Sequence, residues 1–389
     1  SVELKTAGGT AKEVVYNMES YLQSAVDKYV DLATKATGQA VKLRRAVTPF
    51  VHEDRRTSPA GAPSASGPSH TCPWCSHTFP LAEESTSQES RSHPTKGKAL
   101  IKSADPGADD DPPSGVLQPV AASILMKILY AARMARFDLL RATCRLACHI
   151  TKWTEECDRR LYRLVCYINS SLSMRMVGWI GDPPSELAPC LYSDADFAGC
   201  DRTERSTTGV HLAVEGPNSR FPINACSKRQ GCISCSTPEA ELVAGFTAYK
   251  NFLMPSFDLW DVLLPNGYQA KFYEDNQAMI SVVTSGRNPT MRHLGRAHRI
   301  PIAWLHERIV LEDEDPVELT YCESVYMAAD VYTKAFTDAT AWEHACVLIN
   351  HFPADIIHKR DHSGCSAILL LRHGTLASAD VPIMHQEGE

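Results

Sequence analysis

Apolar positions along this chain change period near residue 190. Upstream the spacing is helical. Val15, Met18, Tyr21, Leu22, Val26, Tyr29 and Val30 predict one amphipathic helix over residues 11–35. Ile124, Leu125, Ile128, Leu129, Ala132, Leu139, Leu140 and Leu146 give residues 118–150 an apolar face, and Leu161, Leu164, Val165 and Ile168 do the same for 154–172. Thr154, followed by Glu155, Glu156 and Asp158, reads as an N-cap with acids where the helix dipole favours them. Residues 55–69 and 83–115 have no such period. They are rich in Pro, Ser, Gly and acids and read as disordered linker.

Downstream the period shortens. Cys190–Phe197, Gly209–Val214 and Phe221–Ser227 read as three strands, with the turn Glu215-Gly-Pro-Asn218 between the last two. Thr237–Leu253 reads as a helix, Ala270–Tyr273 as a strand and Gln277–Thr284 as a helix. Arg292–Ile309 has a helical pattern that Pro301 must break or kink. Val317–Cys322 is a predicted strand and Ala328–Phe336 a predicted helix. The order βββαβααβα predicts an α/β fold, and residues after His351 carry no regular pattern.

Four acidic stretches sit at the ends of these elements. They are Tyr192-Ser-Asp-Ala-Asp196, Thr237-Pro-Glu-Ala-Glu-Leu242, Tyr273-Glu-Asp-Asn276 and Ala328-Ala-Asp330. A sheet and its helices can bring such separated carboxylates to one spot. Burying them together calls for divalent cations, and a pair of such ions is a device for cutting phosphodiesters.

Composition adjusts this picture modestly. The chain has 389 residues, enough for two or three domains, and its 44% hydrophobic and 22% charged residues are ordinary for a globular protein. Fourteen irregularly spaced cysteines read as reduced thiols of a protein that is not secreted, and no apolar run is long enough to span a bilayer. A net charge of −7 runs against a nucleic-acid partner, but residues 287–299 hold Arg287, Arg292, Arg296 and Arg299 with His293 and His298 and no acid. Lys228 and Arg229 add charge at the end of the third predicted strand. His70, Cys72, Cys75 and His77 are zinc-ligand types packed into eight residues, which is tighter than the usual two-part site.

The stretches Tyr192-Ser-Asp-Ala-Asp-Phe-Ala-Gly199, Arg205-Ser-Thr-Thr-Gly209, Ser227-Lys-Arg-Gln230, Ser236-Thr-Pro-Glu-Ala-Glu-Leu-Val-Ala244, Asp275-Asn-Gln-Ala278 and Ala329-Asp-Val-Tyr-Thr-Lys334 follow one another in order. Together they make residues 190–337 resemble the ribonuclease H domain of copia-type retrotransposon polyproteins. Ile128–Leu140 and Lys152-Trp-Thr-Glu-Glu156 are similar to the segment that joins such a domain to its reverse transcriptase, and residues 11–50, ending in Val47-Thr-Pro-Phe50, to the stretch just after the polymerase palm. No Tyr-x-Asp-Asp polymerase turn is present, and the chain opens on Ser1 like a polyprotein fragment.

The resemblance implies a five-stranded ribonuclease H-like sheet with flanking helices over 186–352. It implies a helical thumb remnant at 1–54 and a helical connection at 116–185; outside the resemblance, 55–115 reads as a low-complexity linker whose Cys/His cluster is a candidate zinc knuckle, and 353–389 as an irregular tail. It further implies a catalytic quartet of Asp194, Glu241, Asp275 and Asp330 holding two Mg2+ (or Mn2+) ions about 4 Å apart, with Asp194 bridging them. The implied substrate is an RNA–DNA hybrid cut in its RNA strand, the 2′-hydroxyl distinguishing RNA from DNA. Lys228, Arg229, Arg292, His293 and Arg296 are the implied substrate contacts, and the reverse transcriptase part of the polyprotein the implied partner. A cytoplasmic site, in virus-like particles with access to the nucleus, goes with that reading.

Glu241 is preferred over Glu239 because it precedes Leu-Val-Ala, and residues two apart on a helix face different ways. Asp196 shares the face of Asp194 on a strand and reads as a supporting acid. Phe197 and Pro238 depart from the family's usual residues, as does Arg292-His-Leu-Gly295. Two other readings stand beside the nuclease: a decayed, inactive nucleic-acid-binding or structural module, and a zinc adaptor built on residues 70–77.

Overall fold

The structure, a computed structural model, describes residues 2–6, 9–51, 69–71, 78–80 and 113–357, with short gaps at 201–202, 289–290, 292, 299 and 312–314. The chain forms two compact units, residues 52–112 and the remainder.

The larger unit begins with a hairpin, β1 (Val2–Thr6) and β2 (Gly9–Tyr16), followed by α1 (Glu19–Thr37). The single helix expected over 11–35 is therefore two elements. Ala11 and Glu13 are buried and Lys12 is exposed, a strand alternation, while Val15 of the expected apolar stripe is 37% exposed. Asn17 marks the switch, its side-chain oxygen accepting from the Glu19 N–H at 2.9 Å. In the smaller unit β3 (Ser69–Thr71) and β4 (Thr78–Pro80) pair antiparallel. Cys72, Cys75 and His77 lie outside the described residues, and His70 is known only by its backbone pairing with Phe79.

The expected helix over 118–150 is also divided, into α2 (Gln118–Met134) and α3 (Leu140–Ala147). Between them, Arg136 and Asp138 turn inward as a buried ion pair, Nη2 to Oδ2 at 2.8 Å. α4 (Glu155–Ser170) is capped as its sequence indicates, by Thr154 Oγ1 accepting from the Cys157 N–H at 3.4 Å. Next comes β5 (Met174–Ile180), in a region expected to be helical connection.

The strands β6 (Ala188–Asp196), β7 (Thr207–Gly216) and β8 (Ser219–Arg229) follow as an antiparallel meander. Then come α5 (Thr237–Ala248), α6 (Phe257–Leu263), β9 (Ala270–Glu274), α7 (Gln277–Ser285), α8 (Leu294–Ala297), α9 (Ile302–Val310) and β10 (Val317–Tyr321). Pro301 separates α8 from α9. The helix expected at 328–336 is only a 3-10 turn, Ala328–Tyr332. α10 (Ala339–Leu348), β11 (His351–Pro353) and α11 (Ala354–Ile357) complete the described chain, so order extends past the boundary expected at 352.

Among the described residues the main sheet has nine strands, in the order β1-β2-β5-β8-β7-β6-β9-β10, with β11 beside β5. The expected five strands form its continuous segment β8-β7-β6-β9-β10, in which β9 lies parallel to β6 and to β10. The extra four come from segments read as helix or tail. β1 and β2 pair locally as a hairpin, but what joins them to the sheet is distant in sequence: β2 and β11 both pair with β5.

Two apolar layers cover the sheet. Leu22, Val26, Ile128, Leu161 and Trp342 belong to one core, into which Cys190 and Tyr192 of β6 project. Leu191 of β6 and Phe272 of β9 project into the other, with Leu242, Val283 and Leu305. Successive β6 residues thus alternate between layers, as the pleat requires. No described helix is long and apolar enough to cross a membrane.

Candidate metal centre

The two parallel strands β6 and β9 end side by side. Their register pairs Leu191 with Phe272 and Tyr192 with Tyr273, which carries Asp194 and Asp275 to the same end of the sheet. Ligands gather outside the carboxyl ends of strands in open α/β sheets, where backbone turns expose side chains.

Strand alternation divides the acids. Asp194 shares the face of Tyr192, where the 3-10 turn 328–332 packs. A Cβ on Gly209, which pairs with Asp194, would meet the Ala329 carbonyl at 2.7 Å and the Thr333 methyl at 2.6 Å. Only glycine there lets that turn bring Asp330 beside Asp194. Glu274 shares the face of Phe272 and meets Glu241 of α5. Asp275, just past the end of β9, reaches both sides. Ligand oxygens of Asp194, Asp275 and Asp330 lie within 4.8 Å of one another, and so do those of Glu241, Glu274 and Asp275.

The four acids expected from sequence therefore converge, with two differences. Asp275, not Asp194, is common to both groups. Glu274 joins as a fifth carboxylate, fully buried, with Oε2 accepting from Ser193 Oγ at 2.8 Å. Neighbours on a continuous strand face opposite ways, which would separate Glu274 from Asp275. The break after β9 removes that restriction. Asn276 makes the break by capping α7, its Oδ1 accepting from the Met279 N–H at 3.0 Å.

Other candidates lie elsewhere. Asp196 pairs with Arg141 of α3 at 2.9 Å. Glu239 turns to His293 and His298, at 3.1 and 2.9 Å. His293 thus meets Glu239 instead of the acid cluster. Lys228 is exposed and pairs across the sheet with Thr208, itself the partner of Ala195, so it stands at the acid end. Arg229 is half-buried in a recess also lined by Arg141, Arg145 and His149. Arg296 is exposed on α8, and Arg292 lies outside the described residues.

Few cations offset the clustered carboxylates. Lys334 Nζ reaches Asp330 Oδ2 at 2.6 Å, and Thr333 Oγ1 donates to Asp194 Oδ2. Burial pushes the Glu241 carboxyl up to about 11, aided by Glu274, Asp194 and Asp275. Burial and Asp194 push Asp330 up to about 7. Asp194 and Glu274 are raised as well, first by burial.

Glu241 Oε2 and Asp330 Oδ1 are buried without a hydrogen-bond partner. Buried carboxylate oxygens are seldom left so, and each belongs to one of the two groups. All donors in both groups are carboxylates, which suits hard divalent cations such as Mg2+ or Mn2+. The acidic groups can hold metal ions.

A pH dependence follows. Without divalent ions the folded protein binds protons on Asp330 that the unfolded chain has lost, between the ordinary 3.8 and about 7. Stability should fall as pH rises through that window. Cations bind the ionised carboxylates, so their stabilising effect should grow over the same window. Melting temperatures in Mg2+ and in EDTA at about pH 5 and about pH 8 check this: the difference between them should be larger at the higher pH.

No family model and no solved structure matches this chain.

Proposed function

We propose that the protein is a ribonuclease H of copia-type retroelement character, an endonuclease that cuts the RNA strand of RNA–DNA hybrids with two divalent ions. The observation that carries this reading is the pair of carboxylate groups at the ends of β6 and β9, sharing Asp275 and each containing an orphaned buried oxygen. The mixed five-strand segment around β6 and the ordered motifs from Tyr192 to Lys334 support it.

Asp194, Asp275 and Asp330 would hold one ion and Glu241, Glu274 and Asp275 the other. Bound there, the ions supply a water activated for attack and stabilisation of the leaving 3′ oxygen. The residues of the chain do the remainder. Thr333 fixes the orientation of the Asp194 carboxylate, and Ser193 fixes that of Glu274. Ser324 Oγ donates to Asp275 Oδ2 at 2.6 Å and so fixes the orientation of that carboxylate as well. Lys334, tethered to Asp330 with its side chain 45% exposed, limits the repulsion and stands where a scissile phosphate would arrive. Exposed Lys228 and Arg296 extend basic character toward a bound backbone.

The test is cleavage of labelled RNA–DNA hybrid by the full chain in Mg2+, Mn2+ or EDTA, with RNA and DNA duplexes as controls. Metal-dependent cutting confined to the RNA of the hybrid is expected. A folded chain that binds hybrid without cutting it would establish the inactive-module reading instead.

A further inference from the structure

A second group of metal-ligand side chains lies apart from the acid cluster. Cys235 precedes α5, Glu239 sits in its first turn and His293 immediately precedes α8. Ligand atoms of these three lie within 4.8 Å of one another. Their surroundings are unusual for the start of a helix. Glu239 is only 1% exposed, though first-turn glutamates ordinarily face water. Its Oε2 lies 3.1 Å from His293 Nε2 and its Oε1 lies 2.9 Å from His298 Nε2, and the Cys235 N–H donates to Oε2 at 3.0 Å.

The sequence spacing points the same way. Cys232 and Cys235 form Cys-x2-Cys, and His293 and His298 form His-x4-His. Both halves match the spacing of sites that take zinc. Folding joins them: the Cys232 thiol lies 3.0 Å from the carbonyl of Ala297, the residue before His298. Sulfur and imidazole donors favour zinc over the hard cations suited to the acid cluster.

We propose that Cys235, Glu239 and His293 are ligands of a structural zinc ion, that Cys232 completes a tetrahedral set by turning its thiol from the Ala297 carbonyl, and that His298 orients Glu239 through its second oxygen. Such an outer histidine–carboxylate contact is a common support of zinc ligands. The ion would fasten the segment before α5 to α8. Because α5 also carries Glu241, it would hold that helix in place beside the acid cluster. The proposal stands on its own residues and is independent of the nuclease reading.

The test uses the full chain with Cys72→Ser and Cys75→Ser, which removes the thiols of the 70–77 cluster. Titrated with Co2+ under reducing conditions, this protein should show a thiolate-to-cobalt charge-transfer band that Zn2+ displaces. Adding Cys232→Ser and Cys235→Ser should abolish the band. His293→Gln, at a position whose side chain is 44% exposed and tolerant of change, should lower zinc affinity at least about tenfold. His298→Gln should lower it about 10–100-fold while the band persists. Circular dichroism checks that each variant is folded. Absence of the band in the starting protein, its survival without Cys232 and Cys235, or unchanged affinity in His293→Gln would overturn the proposal.

Discussion

Asp275→Asn is expected to reduce hybrid cleavage by about 10²–10³-fold or more and to remove the Mg2+-induced rise in melting temperature. Asp275 is the one carboxylate common to both ligand groups, so its loss weakens both at once. Asparagine keeps the shape and can still accept from Ser324, so the end of β9 should hold. The same substitution should leave the melting temperature in EDTA unchanged or higher. The Asp275 charge helps to raise the carboxyls of Asp194, Glu241, Glu274 and Asp330, and removing it relieves that repulsion. Loss of cleavage with a raised metal-free melting temperature separates a ligand from a structural residue. Retained cleavage would falsify the assigned site.

Asp138→Ala should cost about 3–5 kcal/mol of stability, measured by urea denaturation near neutral pH. Arg136 and Asp138 are fully buried and meet through two hydrogen bonds, Nε to Oδ1 at 2.9 Å and Nη2 to Oδ2 at 2.8 Å. Burial alone would push the Asp138 carboxyl up, but the Arg136 charge beside it holds it below the usual range. Tyr167 of α4 donates to Asp138 Oδ2 at 2.9 Å and receives the Trp342 indole N–H of α10 at 3.1 Å. His351 Nε2 accepts from the Phe137 N–H at 3.2 Å. Alanine would leave a guanidinium buried against only the Ser171 carbonyl and hydroxyl. Replacing both members, Arg136→Met with Asp138→Leu, should cost much less, because no charge is then stranded. A loss below about 1 kcal/mol for Asp138→Ala would mean that the helical layer does not unfold together with the sheet.

Asp194, Glu241, Asp275 and Asp330 were singled out by the resemblance of the ordered motifs that hold them, and the fold gathers them around Asp275. Helix geometry indicated that only one of Glu239 and Glu241 could join the other acids, and the following Leu-Val-Ala motif favoured Glu241. Two residues apart, they point to different neighbours, and Glu239 meets the histidines while Glu241 meets Glu274 and Asp275. Glu274 carried no such motif signal, and only the packing of β9 against α5 and Ser193 brings it into the site. The Cys-x2-Cys and His-x4-His pair was on view in the sequence, but its two halves lie too far apart to be read as one site before the fold joins them. β5 was hidden for a different reason: Met174–Ile180 is a short apolar run directly after a helix, and such runs have no period that excludes helix.

The sequence by itself determined the change from helical to strand period, the cap at Thr154 and the break at Pro301. These depend on interactions within a few residues, so they survive without knowledge of the partner. Tertiary structure decided that the sheet has nine strands, that Asp275 joins two carboxylate groups, that Glu274 completes one of them, and that Arg136 and Asp138 interrupt a helix to meet inside the protein. Each of those outcomes depends on backbone pairing or packing between distant segments. No local period or propensity encodes which distant segment will arrive.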